Sequence, residues 1–179
     1  MNQAQARRVL AFWDKKGKYV FKKHELRKLF ANDSQKTFDE GLARLTKNTL
    51  LQRACRGIYV YLDARSFDGY TIEHIAKALR QGFYNYISLE SILSEYGAIS
   101  QIPIDRLTVM TTGRSGTYQT SYGVIEFTHT KRPISDIIMQ IKTVDKRPLR
   151  IASKAIAWRD LKRVGRNIEM VDIKELNDE

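Results

Sequence analysis

The apolar period changes once, from helical to extended, within the first sixty residues, and this switch restricts the fold more than any other feature of the chain. In residues 4–13, Ala6, Val9, Leu10 and Trp13 recur at helical spacing while Arg7 and Arg8 face outward. Lys15-Lys16-Gly17-Lys18 ends that helix, with Gly17 in the C-cap region. Tyr19-Val20-Phe21 reads as a short extended link. A second helix over about 22–30 turns Leu26, Leu29 and Phe30 inward. Asn32-Asp33-Ser34 then supplies a turn and an N-cap. A third helix over about 35–48 carries the inward stripe Phe38, Leu42 and Leu45. From Leu50 the helical spacing stops. Leu50–Ala54 and Ile58–Tyr61 are strand-like runs on either side of an Arg56-Gly57 turn. Three short helices followed by a basic-tipped hairpin are the order of a winged helix-turn-helix. A small helical subdomain that binds protein is the other reading of the same pattern.

Charge follows the same division. Residues 1–66 hold 15 Lys and Arg against 6 Asp and Glu, a net of +9, while residues 67–179 add +2 to reach the formal +11 of the 179-residue chain. A basic module beside a nearly neutral one points to a polyanion-binding part and a part with another task. The junction is expected in the polar stretch Asp63 to Gly69, giving a DNA-binding domain over 1–66 and a second domain over 67–179.

The third helix can be read residue by residue. Opposite its apolar stripe lie Lys36, Glu40, Ala43 and Lys47, flanked by Thr37 and Arg44. The N-terminal part of such a helix enters the major groove. Lys36 then suits guanine acceptors and Glu40 a cytosine amine. Thr37 suits a phosphate or a thymine methyl, and Arg44 and Lys47 suit phosphates. Ser34 and the helix N-terminus can hold a phosphate, and Arg53 and Arg56 on the wing suit a minor groove or a phosphate. A solvated charged face is the alternative for each of the eight.

The second domain mixes helices and strands, so the class is α+β. Residues 70–80 form an amphipathic helix on Ile72, Ile75, Ala76 and Leu79, stopped by Gly82. Tyr86-Ile87 is extended. Ser88 is expected to cap a helix with Glu90-Ser91 in its first turn and Leu89, Ile92, Leu93 and Tyr96 inward. Arg106–Thr112, Thr117–Thr120 and Val124–Thr130 alternate and are rich in β-branched residues, with turn signals at Gly113–Gly116 and Ser121–Gly123. They predict a small antiparallel sheet with Gly113–Gly116 as a hairpin turn. A last helix over about 152–164 carries the stripe Ala155, Trp158, Leu161 and Val164, and Asn177-Asp178-Glu179 is a polar end. Arg114, Lys131, Arg132, Lys146, Arg147 and Arg150 form a second set of cations, either a phosphate-tracking surface or a scattered solvated face.

No catalytic constellation stands out. One cysteine, Cys55, excludes an intrachain disulfide and a Cys-rich zinc site. Its expected role is a small, partly buried residue whose cationic neighbours could lower its pKa. His24, His74 and His129 lie far apart and in no ligand spacing. His24 is expected on a solvent-facing surface, His74 on a polar helix face and His129 half-buried. There is no phosphate-binding glycine loop. Asp105 and Glu126 near strand ends allow a metal-dependent nuclease as the alternative, but Glu126-Phe127-Thr128 lacks the lysine such a site would want. No apolar stretch reaches 18 residues, and the apolar run near the N-terminus is too short for a signal-peptide core. A cytoplasmic, nucleoid-associated protein without cofactor or metal is expected.

The order of a basic winged helix, a helix, Tyr86–Ser100 (YISLESILSEYGAIS) and the strands through Thr130 resembles the AbiEi-type antitoxins of bacterial type IV toxin–antitoxin systems. Tyr86–Ser100, with its Ser-Leu-Glu-Ser start and Tyr-Gly end, carries the most specific similarity. The resemblance implies a repressor without enzymatic activity. Its winged helix would bind inverted repeats in its own promoter, as a monomer in solution or a dimer on DNA. Its functional partner would be a nucleotidyltransferase toxin, opposed without a stable complex, and the second domain would be linked to antitoxicity. A plasmid- or phage-borne regulator without a toxin partner is the alternative within this class.

Overall fold

The computed structural model describes residues 1–100 and 105–177. The polar end expected at Asp178 and Glu179 lies outside them. The fold is α+β, with eight α-helices and two sheets among the described residues. The chain divides into two compact units, Met1–Thr71 and Ile72–Glu179.

In the first unit, α1 (Gln3–Asp14) begins where the Asn2 side chain accepts the Gln5 N–H at 2.8 Å. It ends in a Schellman motif: Lys18 N donates to Trp13 O at 3.0 Å and Gly17 N to Asp14 O at 2.8 Å. Gly17 has φ of +75°, a backbone state that glycine adopts without penalty. The link after it forms strand β1 (Val20–Lys22), followed by α2 (Lys23–Leu29) and α3 (Gln35–Lys47). Strands β2 (Leu51–Cys55) and β3 (Ile58–Tyr61) close the unit. The antiparallel sheet has the order β1-β3-β2, with Val20 opposite Val60 and Gln52 opposite Val60 from the other side. Ala6, Leu10, Leu26, Phe38, Leu42, Leu45 and Val60 are all buried and form its core.

The segment after β3 folds back on this unit. The buried Asp14 carboxylate accepts the Arg65 and Ser66 backbone N–H groups at 2.8 and 2.9 Å. Burial opposes ionisation of Asp14, but hydrogen bonds from Ser66 and the Arg65 backbone hold its pKa below the usual value. Tyr19 stacks on Phe67 at 4.6 Å and donates its hydroxyl to Asp68 at 2.8 Å. Burial pushes the Tyr19 phenol up to about 12. The polar stretch read as a junction is therefore docked, and the first unit extends to Thr71.

The chain continues with α4 (Thr71–Leu79), β4 (Asn85–Ile87), α5 (Leu89–Glu95), β5 (Arg106–Thr111), β6 (Gly116–Thr120), β7 (Gly123–His129), α6 (Ile134–Gln140), β8 (Ile141–Lys142), β9 (Arg150–Ala152), α7 (Lys154–Val164), a 3-10 turn at Ile168–Met170 and α8 (Ile173–Asn177). The sheet differs from the small antiparallel one expected. It has six strands in the order β6-β7-β5-β4-β9-β8, and two of its pairs, β5–β7 and β4–β9, are parallel. Parallel neighbours need a crossover. Between β5 and β7 that crossover is β6 itself, which reaches the outer edge and returns as a hairpin through Ser121-Tyr122. Gly113–Gly116 is accordingly not a hairpin turn, because β5 and β6 do not pair.

Three further expectations are corrected by buried polar groups. The inner face of α7 is Ala157, Asp160 and Leu161; Ala155 is exposed and Trp158 half-buried. Its rotation brings Asp160, which is fully buried, to Tyr86 and Ser88. Ser88 precedes α5 but makes no side-chain cap; its hydroxyl donates to Asp160 at 2.9 Å instead. Glu90 is buried beneath Arg166, whose Nε donates to it at 2.8 Å, rather than simply facing the helix dipole.

Candidate nucleic-acid interface

The sequence builds α3 as a two-sided helix. Ser34 lies at its N-cap, its hydroxyl oxygen accepting the Thr37 N–H at 3.2 Å and hydrogen-bonding the Thr37 hydroxyl at 2.9 Å. Phe38, Gly41, Leu42 and Leu45 are buried. Ser34, Lys36, Thr37, Glu40, Ala43, Arg44 and Lys47 are exposed. Lys36 and Glu40 are one helical turn apart and only 4.0 Å from each other, with side chains 87% and 64% exposed. An exposed pair of this kind contributes under about 1 kcal/mol, so both ends remain available to a ligand.

The entry to α3 is stapled from α2. Arg27 donates to the Phe30 and Asp33 carbonyls at 2.8 and 2.9 Å, and its guanidinium lies over the Phe38 ring at 5.6 Å. Asp39 takes a hydrogen bond from Lys23 at 2.7 Å and another from Gln35 at 2.7 Å. Those contacts, Lys23 foremost, hold its carboxyl below the usual carboxylate range. One acid beside the exposed face of α3 is thus neutralised from within the unit. Arg44 is partly engaged, donating to the Met1 carbonyl at 2.8 Å, whereas Lys47 is exposed at the far end of the helix.

The β2–β3 hairpin carries Arg53 and Arg56 exposed. Gly57 turns it with φ of +81°, and its carbonyl accepts the Lys23 N–H at 2.8 Å, which ties the tip to the start of α2. Cys55 is half-buried beside this tip. Burial pushes its thiol up, and the nearby Arg53 offsets only part of that, so the lowered pKa allowed by the sequence is not found. Asn32 in the α2–α3 link and Lys28 in α2, both exposed, were not among the expected contacts. In the sequence Asn32 signals a turn, and its place in the α2–α3 link is the feature that marks it.

Two of the second set of cations are committed to internal pairs and belong to neither a phosphate-tracking surface nor a solvated face. Arg147 bridges Glu73 and Glu95 at 2.7 Å each, with 8% of its side chain exposed. Arg132 pairs with buried Asp160 at 3.0 Å. Arg114, Lys131, Lys146 and Arg150 are exposed.

Of the two acids of the nuclease alternative, Glu126 is engaged by cations. Glu126 has 13% of its side chain exposed and is held by Arg106 at 2.7 Å and by Arg166. Arg166 also pairs with Glu90, so two carboxylates share one guanidinium. The Asp105 carbonyl accepts the Val124 N–H. Among the described residues no group of three His, Cys, Asp or Glu side chains could hold a metal ion. His24 is exposed and His74 half-buried; His129 is exposed rather than half-buried, with Nδ1 2.7 Å from the Gly113 carbonyl. No helix among the described residues is long and apolar enough to cross a membrane. No protein-family model matches the chain, and no curated protein sequence matches it.

Proposed function

We propose that Met1–Thr71 is a winged helix and that the protein is a sequence-specific repressor that binds double-stranded DNA at its own promoter. The observation that carries this reading is the two-sided α3, with Phe38, Leu42 and Leu45 buried and Lys36, Thr37, Glu40 and Lys47 exposed, in a unit that also presents Arg53 and Arg56 on a hairpin. The element order α1-β1-α2-α3-β2-β3 supports it.

In this reading Lys36 and Glu40 read base edges, each good contact discriminating by about 1–3 kcal/mol. Ser34, Thr37, Arg44 and Lys47 hold phosphates and set the register. Arg53 and Arg56 extend the contact to the neighbouring groove or backbone. The net +9 of residues 1–66 supplies the salt-dependent part of the affinity. Two copies on inverted repeats follow from the way such helices match a two-fold operator.

The biological setting rests on the resemblance of Tyr86–Ser100 and the following strands to AbiEi-type antitoxins. The protein is then the antitoxin of a type IV system, acts without a cofactor, and opposes a nucleotidyltransferase toxin without forming a stable complex with it. A reporter driven by the upstream region tests repression. Wild-type protein lowers reporter output, and Lys36→Ala with Glu40→Ala restores it. Unchanged repression in that double variant would remove α3 from the account. Co-expression with a nucleotidyltransferase toxin encoded beside it tests the antitoxin half: growth rescued by the full chain supports it, and growth arrest despite full expression overturns it.

A further inference from the structure

The second unit gathers aromatic and cationic residues at one end of its sheet. Because β5 and β7 are parallel, their last residues, Thr111 and His129, lie side by side. β4 and β6 run the other way and begin at that same end, with Asn85 paired to Thr111 and Gly116 to Phe127. The segments leading into β4 and β6 and out of β5 and β7 therefore converge across four strands, a span of about 14 Å. The carboxyl ends of parallel strands are a common ligand position in open sheets.

Two consecutive aromatics stand there in water, Phe83 at 53% and Tyr84 at 38% exposure. The Phe83 ring rests on the Gly113 backbone: a Cβ at Gly113 would stand 3.0 Å from Phe83 Cγ and 3.3 Å from Arg80 Cδ. Glycine thus lets the ring approach the loop backbone while about half of the Phe83 side chain stays exposed.

The loop itself is pinned. Thr112 N donates to the Tyr84 carbonyl at 3.0 Å and Gly113 N to the Thr111 hydroxyl at 3.0 Å. Arg80 Nε donates to the Arg114 carbonyl at 3.1 Å, and its guanidinium is itself seated over Phe127 at 4.3 Å. The Ser115 hydroxyl oxygen accepts the His129 N–H at 2.8 Å. A pre-organised loop lowers the ordering cost of binding. At this end Arg114 and Lys131 are exposed, and neither is in an ion pair among the described residues.

From this arrangement we infer that this end of the sheet binds an unpaired stretch of polynucleotide, with bases stacking on Phe83 and Tyr84 and phosphates meeting Arg114 and Lys131. A duplex keeps its base faces stacked inside and offers only phosphates here. An unpaired strand offers both chemistries together, and stacking is tolerant of sequence because every base has a π-face. The site is built from residues of the second unit alone and stands whether or not α3 reads DNA.

Fluorescence anisotropy of the full chain with a labelled eight-nucleotide single strand tests this, in RNA and DNA versions of one sequence, alongside the promoter duplex. Phe83→Leu keeps an apolar residue on Gly113 and loses the stacking platform. It should weaken single-strand binding roughly tenfold, Arg114→Ala should weaken it and flatten its salt dependence, and Phe83→Trp should retain it. Duplex binding should be unchanged in all three. RNA binding tighter than DNA assigns the natural strand to RNA, and equal binding assigns the site to either strand; both outcomes support the site. Wild-type single-strand affinity in Phe83→Leu and Arg114→Ala overturns it. So does loss of single-strand binding in Lys36→Ala together with Lys47→Ala, because the strand would then sit on the basic unit.

Discussion

Tyr86 donates its hydroxyl hydrogen to Oδ2 of Asp160 at 3.0 Å, joining β4 to α7 across 74 residues of sequence. The Ser88 hydroxyl reaches the same oxygen at 2.9 Å, and Arg132 stands 3.0 Å from Oδ1. Asp160 is fully buried. Burial raises its pKa, and the contacts of Ser88, Arg132 and Tyr86 pull the other way. The same burial, reinforced by the carboxylate, pushes the Tyr86 phenol above its ordinary value. Removing the acid would leave Arg132 without its charge partner and two hydroxyls without an acceptor. Asp160→Ala should therefore cost about 3–5 kcal/mol of unfolding free energy, and Tyr86→Phe about 1 kcal/mol. Urea denaturation measures both. Equal, small losses would show that this cluster does not hold the sheet to α7.

Glu73 and Arg147 make stability depend on pH. Burial raises the Glu73 carboxyl to about 7, against the opposing pull of Arg147, with Glu95 on the far side of the same guanidinium adding repulsion. The raised pKa keeps a proton on the folded state between about 4.5 and about 7 that the unfolded chain has released. Stability is therefore greatest at the acid side of that window and falls as pH rises through it. Glu73→Gln imitates the protonated form. Its stability relative to wild type should improve by about 2–3 kcal/mol between pH 5 and pH 8. Parallel pH profiles for the two proteins would contradict this.

Gly123 is required by space and by backbone conformation at once. Its φ is +115°, and a Cβ there would meet the Asp105 carbonyl oxygen at 2.6 Å. Moving that oxygen would disturb the hydrogen bond it accepts from Val124, at the start of the β5–β7 pair. Gly123→Ala should destabilise the protein by about 2 kcal/mol or more, read as a lowered urea midpoint. Gly69 has open space where a Cβ would go and serves as the control: Gly69→Ala should change the midpoint far less.

The first unit was legible because its signals are local. Gly17, Ser34 and Gly57 punctuate it, and the stripe Phe38, Leu42 and Leu45 identifies the buried side of α3. The pairing of β1 with β3 was not legible, since Val20–Lys22 is three residues long and its partner lies some 40 residues away. In the second unit the same limit hid β8 and β9, and strand alternation carries no information about whether neighbours run parallel. Polar core residues were not legible for a different reason. Asp160, Glu73 and Glu90 are buried through partners distant in sequence, so a pattern of apolar spacings assigns them to water. Of the candidate interface, the exposed side of α3 follows from its period. The hydrogen bond from Arg44 to the Met1 carbonyl does not, nor does the loss of Arg132 and Arg147 to internal pairs.

The α3 residues should separate by role. Lys36, fully outward in the first turn, should discriminate bases, so Lys36→Ala should lower affinity for the promoter by about 1–3 kcal/mol and leave random DNA nearly unaffected. Lys47, at the last turn, should act on phosphate, so Lys47→Ala should weaken binding to every duplex and reduce the salt slope by about one. Equal losses on promoter and random DNA for Lys36→Ala would exclude base readout by that residue.

The most direct test of the central claim is the affinity of the full chain for its own upstream DNA and for a scrambled duplex of the same length and composition, each at two salt concentrations. A sequence-specific regulator should prefer the upstream DNA by roughly a thousandfold or more at physiological salt, with a steep salt dependence on both duplexes. Equal affinities that fall together with salt would contradict the account, leaving residues 1–66 a generic basic surface.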